Sequence, residues 1–130
     1  MRHILILLSF LLLSSPVNGD NHKGETLYVW GEYPDWKWVE SGDKETHPKY
    51  QGQVKDGKPN GLGSLTYPDG SKYIGEYKDG EKHGIGTLTY SDGTKFVGVF
   101  KDDNFWNGTG YNNKNGEIFV RYVWGKKIKQ

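Results

Sequence analysis

The chain has 130 residues, with 17 Lys and Arg against 16 Asp and Glu and a formal net charge of +1. That balance gives it no electrostatic reason to seek nucleic acid or an anionic membrane as a whole. It holds no cysteine, which excludes a disulfide framework and a thiolate zinc site, so stability must come from sheet pairing and from aromatic packing by five Trp, nine Tyr and five Phe.

One domain is expected from the length. Residues 1–19 read as a signal peptide: Arg2 and His3 start it, Ile4 to Leu13 is apolar but for Ser9, and Ser14-Ser15-Pro16 closes it. The apolar run of ten residues is short of the roughly 20 needed to span a bilayer as a helix. Export to a periplasm or to the outside is therefore expected. Its removal takes away only Arg2, leaving 16 basic and 16 acidic residues.

Residues 20–26 are polar and are expected to be flexible. Leu27 to Trp30 is a strand candidate, Trp36 to Val39 alternates, and Glu32-Tyr33-Pro34-Asp35 carries turn chemistry between them. Residues 27–48 match no other stretch of the chain and read as an N-terminal cap, packing over the first hairpin and burying Trp30, Trp36 and Trp38.

From residue 49 the chain repeats itself. Tyr50, Gly52, Gly57, Gly61, Gly63 and Gly70 recur as Tyr73, Gly75, Gly80, Gly84, Gly86 and Gly93, and Phe96-Val-Gly98-Val-Phe-Lys-Asp102 opens a third copy. The step is 23 residues both times, which gives copies at 50–72, 73–95 and 96–118 within 49–118. A fixed short period means stacked supersecondary units, and those make a long surface more readily than a catalytic pocket.

Period-two alternation and Asp-Gly turns make each unit a β-hairpin. A first turn over Lys55–Asn60 and a second at Pro68-Asp69-Gly70 force antiparallel neighbours and an all-β meander. One face collects rings and glycines: Tyr50, Gly52 and Val54 with Gly61, Gly63, Leu65 and Tyr67, then their counterparts through Tyr77 and Tyr90. Glycine weakens a strand, so it needs a reason. The reason inferred is room for a ring from one strand to lie across the next.

The third copy changes. Lys101 to Asn107 replaces the Lys-Asp-Gly turn, and Gly108 and Gly110 come one residue late. Residues 119–130 read as a capping half-copy from Phe119, with Arg121 where Gly75 and Gly98 stood, and a basic tail in which Lys126, Lys127 and Lys129 guard an open edge.

The Tyr-x-Gly-x-x-x-x-Gly-x-x-x-Gly-x-Gly pattern resembles the MORN (membrane occupation and recognition nexus) repeat over residues 50 to about 118. Asp103 and Phe96 depart from it. The resemblance implies an elongated antiparallel β-meander whose aromatic groove binds a protein or peptide.

No catalytic group, cofactor or metal is expected. His22, His47 and His83 lack a partnered nucleophile. Asp56, Asp69, Asp79 and Asp92 each precede a turn glycine, without the spacing of a calcium-binding nonapeptide repeat. Asn107-Gly108-Thr109 has the form of a glycosylation sequon. The expected function is a non-enzymatic scaffold for a protein or peptide, working as a monomer or end to end. The alternative is an envelope surface module that contacts glycan or, through the terminal lysines, membrane. Tyr50, Tyr73 and Phe96 are expected to cover their own sheet. Partner contact is placed instead on Phe105 and Trp106, in the altered turn, and on Tyr67 and Tyr90.

Overall fold

A computed structural model describes residues 24–129; the predicted signal peptide and residues 20–23 lie outside them. Ten strands form one open antiparallel sheet: β1 (Glu25–Trp30), β2 (Lys37–Val39), β3 (Lys49–Lys55), β4 (Lys58–Thr66), β5 (Lys72–Lys78), β6 (Glu81–Thr89), β7 (Lys95–Lys101), β8 (Asn104–Tyr111), β9 (Ile118–Val123) and β10 (Lys126–Lys129). The spatial order is β10-β9-β8-β7-β6-β5-β4-β3-β1-β2. From β3 onward this is the expected meander.

Short turns set the order. The four tight hairpins have positive φ at both central residues: 52° and 75° at Asp56-Gly57, 50° and 84° at Asp79-Gly80, 50° and 68° at Asp102-Asp103, 52° and 76° at Trp124-Gly125. These are type I′ turns, whose twist matches that of the flanking strands. The turn expected over Lys55–Asn60 therefore shrinks to two residues, and Asn60 and His83 lie in β4 and β6. Each later turn also bonds back to the preceding hairpin. The amides of Gly80, Asp103 and Gly125 donate to the carbonyls of Pro59, Lys82 and Trp106 at 2.9, 3.0 and 2.8 Å.

Two rows cross the sheet on one face. Leu27, Tyr50, Leu65, Tyr73, Leu88, Phe96, Gly110 and Val120 pair in succession, and beside them run Gly52, Gly63, Gly75, Gly86, Gly98 and Gly108. The rings of the first row lie over the second. A Cβ on Gly86 would stand 2.6 Å from Cζ of Tyr73, and one on Gly108 would stand 2.8 Å from Cζ of Phe96. This row of missing side chains is how a single sheet closes its own core: Tyr50 and Tyr73 expose none of their surface, Phe100 1% and Phe96 2%.

The rings meet edge to face in one continuous ladder. Tyr50 meets Tyr77 at 5.1 Å between centroids, Tyr77 meets Tyr73 at 5.2 Å, Tyr73 meets Phe100 at 5.0 Å, and Phe100 meets Phe96 at 5.4 Å. T-shaped pairs of this kind add about 0.5–1.5 kcal/mol each beyond the area they bury.

The ends differ from expectation. β1 starts at Glu25, so Glu25 and Thr26 are sheet residues paired with Gly52 and Gln51. The cap extends the sheet, with β1 beside β3 and β2 outermost. The curl of the sheet then brings Trp38 of β2 edge-on to Tyr50 (5.8 Å) and against Gly80 at the far turn. Trp30 is 44% exposed and stacks on His47 at 4.1 Å, so the cap does not bury all three of its tryptophans.

At the C-terminus there is a full hairpin, β9–β10, where a half-copy and tail were expected. Tyr122 pairs with Gly108 and Val120 with Gly110, so Arg121 does not take the glycine position and Phe119 does not take the ring position. Val120 is buried, whereas Phe119 is 46% exposed. The cause lies in β8. Phe105 and Gly108 are three apart where Lys82 and Gly86 are four apart, so Gly108 is the counterpart of Gly63 and Gly86, and Gly110 replaces Leu65 and Leu88. The glycine pair is thus not displaced late; one residue before it is missing. A bulge at Gly110/Tyr111 carries the shift into β9. The open edges are blunted, β2 by its three residues and β10 by Lys126 and Lys127.

Candidate functional site

Because the large rings are closed over their own glycines, the accessible part of this face is a cleft beside them. It has a volume of about 340 Å³ and lies between the β1–β2 hairpin and the array. Trp36 and Trp38 form one wall with the exposed Tyr33; Tyr67, Tyr77 and Lys82 form the other, with Asp103 at the rim. The two tryptophans are fixed edge to face, 5.5 Å between centroids.

Among the described residues Lys82 is the only cation of the wall. The 23-residue step places it where the first copy has Pro59 and the third Phe105. Its ammonium donates to the Tyr67 hydroxyl at 3.1 Å, lies 3.9 Å from Oδ1 of Asp103, and sits 5.5 and 5.8 Å from the ring centres of Tyr73 and Tyr67. The same carboxylate oxygen accepts the Lys82 backbone N–H at 2.7 Å. Cation and carboxylate thus neutralise each other within the site.

Two polar groups of the residues on either side make no hydrogen bond among the described residues: the indole N–H of Trp38 and the hydroxyl of Tyr77, both buried. A buried donor left unpaired costs about 1–3 kcal/mol. Burial, followed by the nearby charges of Tyr67, Tyr73, Tyr50 and Asp103, pushes the Tyr77 hydroxyl far above its ordinary pKa, so it remains a donor at any physiological pH. The two other core tyrosines are also pushed up by burial but do have partners: Tyr50 donates to the Gln53 carbonyl at 2.6 Å and Tyr73 to the Glu76 carbonyl at 2.8 Å.

A wider hollow of about 550 Å³ adjoins the cleft and shares Trp36 and Trp38 with it. Its polar lining is Asp56, Asp79 and Glu81 against Lys37 and Lys58. Desolvation, then the charges of Asp103, Asp102 and Asp79, raises the Glu81 carboxyl above its usual range.

The four residues singled out in the sequence do not form one patch. Phe105 and Trp106 are not in a turn, because Asp103 adopts the glycine conformation and keeps the two-residue hairpin; both belong to β8. Phe105 stacks on Phe96 at 3.9 Å and meets Phe100 and Tyr122, so it is part of the ring ladder. Trp106 packs elsewhere, edge-on to Trp124 at 6.2 Å, with the Lys101 ammonium 4.5 Å over its ring. Tyr67 does line the cleft. Tyr90 is 41% exposed, and its hydroxyl is raised by burial and then by Tyr122 and Tyr67.

Sequence reasoning misses Lys82, Tyr77, Trp38 and Asp103 as a group. Lys82 alone has a sequence signal, a charge inside an otherwise apolar alternating position. Among the described residues no helix is long and apolar enough to cross a membrane, and no three His, Cys, Asp or Glu side chains gather as a metal-binding set. The family model described as the MORN repeat matches residues 50–72 and 73–95, the first two copies. No curated protein matches the chain.

Proposed function

We propose that this chain, a MORN-repeat protein, is an exported, non-enzymatic scaffold that holds a partner protein by an extended peptide segment in the cleft between the β1–β2 hairpin and the ring face. MORN repeats are generally protein- or membrane-binding modules, so a binding role fits the family. One observation carries the choice of surface. The core rings Tyr50, Tyr73, Tyr77, Phe96 and Phe100 expose almost nothing, whereas Trp36, Tyr33 and Tyr67 wall an open cleft. Rigid aromatic walls anchor a peptide at small entropic cost. The blunted sheet edges support action as a monomer, since neither invites strand addition by another copy. The leader-like composition of residues 1–19 supports export.

Selection of displayed random peptides on the purified chain tests the binding surface. Selected peptides are expected to lose about tenfold or more in affinity against Trp36→Ala and Tyr67→Ala. Peptides that bind both variants as well as the parent chain would rule out the cleft as the binding surface. Export is tested by expressing the full chain in a secreting host and weighing the product. A mature N-terminus near Asp20 outside the cytoplasm is expected; an intact chain retained in the cytoplasm contradicts it.

A further inference from the structure

We propose that Asn115 is a site of spontaneous covalent modification: it closes on the backbone nitrogen of Gly116 to a cyclic imide, and water then opens the imide to aspartate or isoaspartate. The described residues hold three Asn-Gly pairs, Asn60-Gly61, Asn107-Gly108 and Asn115-Gly116. Glycine leaves the attacking nitrogen clear of a neighbouring side chain, so all three have the composition for this reaction. Their surroundings decide which of them reacts.

Asn60-Gly61 and Asn107-Gly108 are held in the sheet. They lie inside β4 and β8, where Gly61 pairs with Tyr77, and Gly108 with Gly98 and Tyr122. Each carboxamide is tied to a distant amide. Oδ1 of Asn60 accepts the Asp79 N–H at 3.2 Å, and Oδ1 of Asn107 accepts that of Trp124 at 2.9 Å. To reach its own glycine nitrogen, either carboxamide must leave that bond and its strand must open.

Asn115-Gly116 sits in the connection between β8 and β9, with both residues exposed. Gly116 has φ 71°, and nothing lies within 4 Å of the place a Cβ would take. Its N–H makes no hydrogen bond among the described residues, whereas the amides of Gly70 and Gly93, at the matching turns, donate to the Tyr67 and Tyr90 carbonyls at 3.0 and 2.9 Å. Those turns carry Asp69 and Asp92 in place of asparagine, and a carboxylate is a poor target for a nitrogen nucleophile. Oδ1 of Asn115 accepts the Glu117 N–H at 3.0 Å. That bond folds the carboxamide back over the Gly116 peptide, as in an Asx-turn. The same N–H stabilises the charge that gathers on Oδ1 as the nitrogen attacks.

Hydroxide takes the Gly116 amide proton, the nitrogen bonds to Cγ of Asn115, and the carboxamide nitrogen leaves as ammonia. Water then adds to one imide carbonyl. Opening at Cγ gives aspartate in an ordinary backbone. Opening at the backbone carbonyl carbon gives isoaspartate, with Gly116 linked through Cγ. Either product adds a negative charge. Aspartate keeps an acceptor for the Glu117 amide, as Asp69 and Asp92 accept the amides of Ser71 and Thr94, both at 2.8 Å. Isoaspartate inserts a methylene into the turn that leads to β9, whose Tyr122 meets Phe96 edge-on at 5.6 Å. Its formation loosens the C-terminal cap.

For the test, the purified chain is held in mildly alkaline buffer, below the range where its tyrosines ionise. Samples are digested at intervals and read by mass spectrometry with fragmentation that separates aspartate from isoaspartate. A parallel sample is held unfolded in guanidinium chloride. In the folded chain the Asn115 peptide is expected to convert at least about tenfold faster than those of Asn60 and Asn107, which strand pairing protects. In the unfolded chain the three should convert at similar rates. Equal rates in the folded chain would overturn the site, as would an Asn115 that survives folded while the unfolded chain converts. By hydrogen exchange, β9 amides should exchange faster in the isoaspartate fraction and as in the parent chain in Asn115→Asp. Unchanged exchange in the isoaspartate fraction, or equal acceleration in Asn115→Asp, would overturn the loosening of the cap by the added methylene.

Discussion

In the second copy the residues facing the interior at the start and end of β5 are Tyr73 and Tyr77; in the third copy the same places in β7 hold Phe96 and Phe100. The backbone differs with them. In the first two copies a bulge follows Gly52 and Gly75, and the tyrosine hydroxyl donates to a carbonyl beside it, of Gln53 or Glu76. There the side chains of Gln53 and Glu76 accept the Leu62 and Ile85 amides of the facing strand. The third copy has no hydroxyl to give, its β8 is one residue shorter, and its register shift falls at Val99/Phe100. The hydroxyl and the extra residue thus occur together. What does not change is the glycine row, which runs through Gly98 and Gly108 despite the deletion. Packing of a ring on a bare strand is the invariant of the array; the bulge is an accessory to tyrosine.

Alkaline pH should separate the copies most strongly. Tyr50, Tyr73 and Tyr77 have folded pKa values raised above the ordinary value of 10.0, chiefly by burial. The folded state then holds protons that the unfolded chain releases. Their contribution is fully present below about pH 10 and is lost as pH rises above it. Unfolding by urea is expected to ease steeply above that pH. In hydrogen exchange, β3 to β6 should open before β7 and β8, whose core rings Phe96, Phe100 and Phe105 cannot ionise. Simultaneous opening of all copies would erase the distinction between tyrosine and phenylalanine copies.

Tyr73→Phe comes next. It leaves the Glu76 carbonyl without its donor and is expected to cost about 1–3 kcal/mol in urea denaturation. The reverse change, Phe96→Tyr, is expected to bring no gain of that size, because the third copy has a different bulge. A smaller effect is expected at the turns. Gly57 has φ 75° and open space around it, so Gly57→Ala should cost about 1–2 kcal/mol, from backbone conformation alone. Asp103 already bears a side chain at φ 68° in the matching place, since Asp tolerates this region.

The 23-residue step makes the hairpins, their order from β3 onward and the contact of rings with glycines readable in the sequence, because each depends on local turn chemistry and alternation. Three features are not readable. The place of β1 between β3 and β2 depends on which edge accepts a strand, and no local signal in Leu27 to Pro48 specifies that. The deletion in β8 looks like a late glycine pair, since Gly108 and Gly110 keep the spacing of Gly61 and Gly63 while doing different work. The cleft needs the curl that carries Trp38 to Gly80, a sum of small twists and bulges over several strands. Tyr67 is legible because it is a large ring at the end of an alternating run; Lys82 reads as solvent-facing because it is a lysine near a turn, and only its replacement of Pro59 and Phe105 across the copies marks it.

If a ring occupies the space a side chain would need on the next strand, a double-mutant cycle on Tyr73 and Gly86 will register it. Gly86→Ala alone should destabilise the chain by about 1–3 kcal/mol through overpacking against the Tyr73 ring. In a Tyr73→Ala background the same change should become neutral or stabilising by about 0.5–1 kcal/mol, as Ala for Gly is in an ordinary strand. Equal costs for Gly86→Ala in both backgrounds, read by urea denaturation, would show that ring and glycine are not coupled and that the array is held together some other way.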